Sequence, residues 1–194
     1  MARRPGPIPR EPLSDGIVLL RLPRAGDVEA VYAYGQDPDV AATGWLPLPV
    51  PCPRPAAARL IREFQRGWQS RFGLSLAIAA PPAAELCGVV HLAISATAGE
   101  IAYGVAPAHR RQGLASRAVR LLSSWAFAHC GLGRLEICVT ARGAPGLASR
   151  RVAEHAGFVY AGLRRSRVPA TGVAYADPLY VLAREVWEAG RARP

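Results

Sequence analysis

The chain has 194 residues, with 24 Lys+Arg against 14 Asp+Glu and a formal net charge of +10. That length makes one domain with a sizeable core the expectation. No apolar run approaches the roughly 20 residues of a membrane helix, so a helical membrane protein is excluded and no membrane partner is expected.

Every basic residue is Arg, and the chain contains neither Lys nor Asn. A bias toward GC-rich codons accounts for this; attraction to a nucleic acid or a phosphate-rich cofactor is the alternative reading. The arginines are spread along the chain rather than gathered in a block, which argues against a stable nucleic-acid partner. Cys52, Cys87, Cys130 and Cys138 show no C-x-x-C spacing. They fit a reducing, cytoplasmic setting without a structural metal, with Cys130 and Cys138 as buried thiols and Cys52 exposed in its loop. The start of the chain lacks the apolar core of a secretory signal. Residues 1–14 read as a flexible Arg/Pro-rich tail, 15–188 as a single domain and 189–194 as a short tail.

In chain order, Ile17–Arg21 reads as a first strand and Arg24–Gly35 as a helix with Ala25, Val28, Val31 and Tyr32 on one face. Leu46–Pro55 carries five prolines, which argues for a loop. A helix follows over Ala56–Arg71, with Leu60, Ile61, Phe64 and Trp68 as its apolar stripe. Strands are expected at Leu74–Ala79, Leu86–Ile94 and Glu100–Val105. Gly113–Cys130 is the clearest helix, with Leu114, Ala118, Leu121, Leu122 and Trp125 on one face. Leu135–Thr140 alternates as a half-buried strand, Ser149–Ala156 reads as a short helix, and two more strands follow, from Phe158 and over Leu179–Val186.

The most informative stretch runs from Tyr103 to Ala118. An apolar strand ends at Pro107; a short basic loop, a glycine and a strong helix follow. Free amides and the positive end of the helix dipole then converge on one spot, which is a way to hold phosphate. Arg110 and Arg111 add fixed charge, and Gly113 allows a ligand close to the backbone.

Arg110-Arg111-Gln112-Gly113-Leu114-Ala115 resembles the (Gln/Arg)-x-x-Gly-x-(Gly/Ala) hallmark of the GNAT acetyltransferase superfamily, in particular its RimJ/RimL-like branch. Its flanks strengthen the resemblance: Glu100–Val105 before it, then Ala118–Leu122, Trp125–Phe127, Gly131–Glu136 and Ala148–Phe158, in family order and at family spacing. Residues 15 to 186 fit. The resemblance implies an α/β (α+β) GNAT fold, a mixed, mostly antiparallel sheet splayed between its fourth and fifth strands and flanked by about four helices. It implies acetyl-CoA as donor and a primary amine, of a protein N-terminus or a small molecule, as acceptor. A monomer or a homodimer fits.

Carried over, the amides of Arg111, Gln112, Gly113, Leu114, Ala115 and Ser116 grip the pyrophosphate with Arg110 alongside. The pantetheine lies in the splay, and the amide near Val105 polarises the thioester carbonyl. Glu100 is the candidate base that takes the amine's proton, the alternative being a solvated or salt-bridged carboxylate. His91 is a weaker candidate, since a strand histidine is more often structural. Ser149 matches the serine of the family's Asn-x-x-Ser segment and is the candidate to stabilise the departing thiolate; its other reading is a helix N-cap.

The chain departs from the family pattern twice. The Asn position is Gly146, and the place of a tyrosine acid used by many relatives is Ala153. Trp45 and Trp68 either border an acceptor pocket or pack in the core, and Arg164-Arg165-Ser166-Arg167 reads as a solvated face or an attractor of an acidic acceptor or RNA. Two further functions stay open: a CoA-binding module with weakened catalysis, and an RNA- or ribosome-associated protein on the same scaffold.

Overall fold

The computed structural model describes residues 8–37, 48–49, 51–69, 73–82, 84–95, 98–139, 143–167 and 174–191. Among them are the strands β1 (Leu13–Ser14), β2 (Leu19–Arg21), β3 (Leu74–Ala80), β4 (Glu85–Ser95), β5 (Ala98–Val105), β6 (Arg134–Cys138), β7 (Val159–Arg167) and β8 (Ala174–Ala183). The helices are α1 (Val28–Tyr34), α2 (Arg54–Gln65), α3 (Leu114–His129), α4 (Gly143–His155) and α5 (Arg184–Arg191).

The strands form one sheet in the order β1-β2-β3-β4-β5-β6-β8-β7. Every neighbouring pair is antiparallel except β5–β6. That parallel pair needs a crossover, and α3 supplies it. β3 is buried along nearly its whole length because helices cover both faces of the sheet. On one face Leu114, Ala118, Leu122 and Ala126 of α3 pack with Leu76, Ile78, Val90, Leu92 and Ile101. On the other, Val31 and Tyr34 of α1 and Leu60, Ile61 and Phe64 of α2 pack with Ala77, Leu86 and Val89. The two clusters draw on alternate residues of the same strands, the period of a pleated backbone, and in β4 the phase shifts between Leu86 and Val89 where the register with β3 slips beside Ile78 and Ala79.

Several expected boundaries move. β1 occupies Leu13–Ser14, the last two residues of the expected tail, and α5 runs to Arg191, into the expected C-terminal tail. α2 begins at Arg54 inside the proline-rich stretch; Pro55 sits in its first turn, where a missing N–H forfeits no helical bond. The last strand ends at Ala183 rather than Val186. Arg184 turns the chain into a helix by donating to the carbonyls of Leu132 (2.8 Å) and Phe127 (2.5 Å). α4 starts at Gly143, so Ser149 lies inside a helix and is not its N-cap.

Candidate active site

The pairing of β5 with β6 covers only Ala98–Glu100 against Arg134–Glu136. Beyond Glu100, β5 continues beside β4 while β6 continues beside β8, so the sheet opens between β5 and β6. β1 adds one to the strand count, so this opening is the splay expected between strands four and five. Its edge has a defined polarity. Ala106 donates its N–H to the Cys87 carbonyl at 2.8 Å, and Gly88 stands opposite Val105. Hydrogen-bonded and non-bonded pairs alternate in an antiparallel ladder. The backbone groups of Tyr103 and Val105 therefore face away from β4, into the opening.

The opening runs into the basic loop. A 3-10 turn over Pro107–His109 leads to Arg111 and Gly113, both with left-handed backbone (φ +62° and +74°). An unstrained left-handed φ at Gly113 is what glycine provides. The first bond of α3 is Arg117 N–H to the Gly113 carbonyl at 3.2 Å. The amides of Leu114, Ala115 and Ser116 precede it and lack intrahelical acceptors. Arg111, Gln112 and Gly113 are exposed, while Leu114 and Ser116 are buried beneath them. Arg110 is held from two sides: its Nε donates to the Val105 carbonyl (3.2 Å) and its Nη2 pairs with Asp37 Oδ2 (2.7 Å). It thus ties the end of β5 to the segment after α1.

Facing this edge from α4 is Ser149. The Tyr103 hydroxyl lies 2.8 Å from the Ser149 carbonyl and 3.0 Å from its Oγ. Burial pushes the Tyr103 phenol up to about 12, partly opposed by its bond to Ser149, and Tyr180 nearby adds to the rise. Tyr103 therefore stays protonated throughout the working range of an enzyme. Tyr180 itself donates to Glu154 Oε1 at 3.3 Å. Ala153, one turn beyond Ser149, is fully buried. Sequence reasoning passed over Tyr103; the signal was its register with Ile101 and Val105 on the face of the strand that packs with α3.

Glu100 lies on the opposite face of β5, one residue before the strands part. Both of its carboxylate oxygens are engaged by Arg164 of β7, at 2.6 and 2.9 Å. The same guanidinium is 3.9 Å from Glu136, which Arg134 also binds at 2.6 Å. The bond to Glu100 holds the Arg164 proton more tightly than usual, so this cation is permanent. Glu100 is thus an ion-paired strand carboxylate, and Arg164, read as part of a solvated face, reaches across the sheet instead. Each carboxylate oxygen has two lone pairs and Arg164 uses one, so a water can still donate to Glu100.

His91 packs against Phe64 of the second core cluster. Its Nδ1 is 2.6 Å from Ser75 Oγ and its ring centroid 4.9 Å from that of Phe64. Burial lowers its pKa to about 3, so it is neutral near neutral pH. Cys52 is buried rather than exposed, and Cys130 and Cys138 are only partly buried. Trp45 and the Trp68 side chain lie outside the described residues. Along α2 runs a groove of about 590 Å³ lined by Pro49, Ala56, Arg59, Leu60, Glu63, Arg66 and Gln69. Its lining includes neither Glu100 nor Ser149. Among the described residues no helix is long and apolar enough to cross a membrane.

An amide-lined helix start thus continues the opening of a splayed parallel strand pair. Residues 18–159 match the model of the acetyltransferase (GNAT) domain, and the chain belongs to that family. Its structural neighbours include a GNAT-family acetyltransferase from Bacillus anthracis, 18% identical with a TM-score of 0.74, covering 90% of this chain and 99% of that one. The microcin C7 self-immunity acetyltransferase MccE, in complex with acetyl-CoA and AMP, is 18% identical with a TM-score of 0.69 and coverage of 88% and 98%. RimL, a ribosomal alpha-N-protein acetyltransferase in complex with coenzyme A, is 17% identical with a TM-score of 0.68 and coverage of 91% and 99%. No curated protein sequence matches the chain.

Proposed function

We propose that this protein is an acetyl-CoA-dependent N-acetyltransferase that moves an acetyl group directly to a primary amine. The observation that carries the reading is the continuity of the opening. The outward backbone of Tyr103 and Val105 leads straight to the amides at the start of α3. The pantetheine arm of acetyl-CoA is itself a chain of amides and adds to β5 as a short strand would. Its pyrophosphate meets the amides of Arg111, Gln112, Gly113, Leu114, Ala115 and Ser116, where the helix dipole favours an anion. The positive side chains of Arg110 and Arg111 flank it. Acetyl-CoA and coenzyme A occupy the two neighbours described above, MccE and RimL.

The Val105 amide polarises the thioester carbonyl and stabilises the oxyanion formed when the amine attacks. Glu100, through a water, takes the proton the amine must shed. Ser149 stabilises the departing thiolate. Glu100 and Tyr103 lie on opposite faces of β5, so the acceptor enters from the α1/α2 side while the leaving group is met by α4. The acceptor is the amine of a protein N-terminus or a small molecule.

The test is release of free thiol from acetyl-CoA in the presence of a panel of primary amines. Amine-dependent release supports the reading. Binding of acetyl-CoA with no release for any amine supports the second reading, a CoA-binding module. That reading is favoured by one observation, the two-point hold of Arg164 on Glu100.

A further inference from the structure

The Tyr103–Ser149 pair has more bonding capacity than packing requires. Tyr103 has one hydroxyl proton and two acceptors within reach on the same residue, the Ser149 carbonyl at 2.8 Å and its Oγ at 3.0 Å. Two hydrogen arrangements fit these heavy-atom positions. In one, Tyr103 donates to the carbonyl and Ser149 donates to Tyr103. In the other, Tyr103 donates to Ser149 Oγ, and the serine hydrogen is released toward the opening between β5 and β6. Passing from one to the other moves no heavy atom.

We infer that Tyr103 is a positioning residue for Ser149, setting that serine as the hydrogen-bond donor to the sulfur that leaves acetyl-CoA. This rests on the acetyltransferase reading. As the tetrahedral intermediate collapses, the C–S bond breaks and its electron pair goes to sulfur. The growing negative charge draws the Ser149 O–H, and Tyr103 turns its proton from the carbonyl to the vacated lone pair of Oγ. The chain of two hydroxyls polarises cooperatively. Glu100 gives the amine's proton up to solvent and the released thiolate takes one from solvent, so no group is left oxidised, reduced or short of a proton.

Three further observations fit this role. The phenol is held protonated by burial, so it acts as donor at every working pH. The neighbouring Tyr180 hydroxyl is directed to Glu154 and does not compete for Ser149. Ala153, the residue one turn on from Ser149, carries no proton to offer.

The experiment uses the full chain, acetyl-CoA and a panel of primary amines (a peptide with a free N-terminus, spermidine, an aminoglycoside), comparing wild type, Tyr103→Phe, Ser149→Ala and the double variant. Phenylalanine keeps the ring packed and deletes only the hydroxyl. The expected result is a roughly tenfold lower kcat for Tyr103→Phe, about 1.4 kcal/mol of transition-state stabilisation, with KM for acetyl-CoA unchanged. The double variant should be no slower than Ser149→Ala, because the tyrosine acts only through the serine. Wild-type kcat in Tyr103→Phe, or losses that multiply in the double variant, would overturn the inference. So would a raised KM with kcat preserved, the mark of a purely structural tyrosine. A wild-type protein that releases no thiol with any amine removes the acetyltransferase reading itself, and this inference with it.

Discussion

Replacing Gly113 with alanine separates the cost of a strained backbone from the cost of a blocked ligand. Gly113 holds φ at +74° immediately before α3, and a Cβ built there meets no atom within 4 Å. Packing therefore contributes nothing, and the folded-state cost is the left-handed conformation, about 1–2 kcal/mol for a residue with a Cβ. The stiffer unfolded chain offsets roughly 0.4–1 kcal/mol of it. A net loss of about 1 kcal/mol lowers Tm by roughly 2–4 °C in a domain of this size.

Ligand binding responds separately. Acetyl-CoA at a hundred times its Kd stabilises the native state by about 2.7 kcal/mol. If the new methyl keeps the pyrophosphate from the amides and weakens binding about tenfold, the same concentration gives only about 1.4 kcal/mol. Thermal melts with and without acetyl-CoA read both effects. A variant that melts lower alone but keeps the full wild-type increment with acetyl-CoA would refute the close approach of phosphate to Gly113.

Glu100→Gln should lower kcat/KM about a hundredfold or more while leaving the acetyl-CoA increment in Tm intact; kinetics within about twofold of wild type would remove Glu100 from the proton path. Gly88→Ala should cost about 1–3 kcal/mol in urea unfolding, because its Cβ would press on the Gly104 carbonyl, a backbone atom of the adjacent strand with little room to yield; an unchanged midpoint contradicts that close approach. Asp15 offers a pH test. Burial opposes its charge, but bonds from the Val18 and Ile17 amides and from Arg117 prevail and hold its carboxyl below the ordinary 3.8. A lowered folded-state pKa contributes stability that is present above 3.8 and is lost as pH falls through the folded value. Asp15→Asn should therefore lower stability near neutrality and narrow its gap to wild type in strong acid. A gap that stays constant with pH would show the carboxylate charge to be irrelevant.

The strand, loop and helix start of the candidate donor site were legible as elements because their physics is local. The alternation of Glu100–Val105, the loop, Gly113 and the apolar stripe from Leu114 lie within one short stretch, and α3 begins one residue after the expected glycine. Glu100 was legible as a strand carboxylate but not as one bound to Arg164, because its partner lies 64 residues away. The start of α4 was missed for a propensity reason. Gly143-Ala144-Pro145-Gly146 reads as a loop, yet the proline falls in the first helical turn, where it is tolerated. That shift removes the capping role from Ser149 and turns its hydroxyl to Tyr103. The turn at Arg184 depends on carbonyls at the end of α3 and beyond it, which no local pattern reveals.

On the function proposed, the opening between β5 and β6, continued by the amides of Arg111–Ser116, holds acetyl-CoA. Calorimetric titration of acetyl-CoA into the full chain tests it most directly. One saturable site per chain with micromolar Kd is expected, weakened in Gly113→Ala and unchanged in Glu100→Gln. Absence of saturable binding at millimolar acetyl-CoA would contradict it.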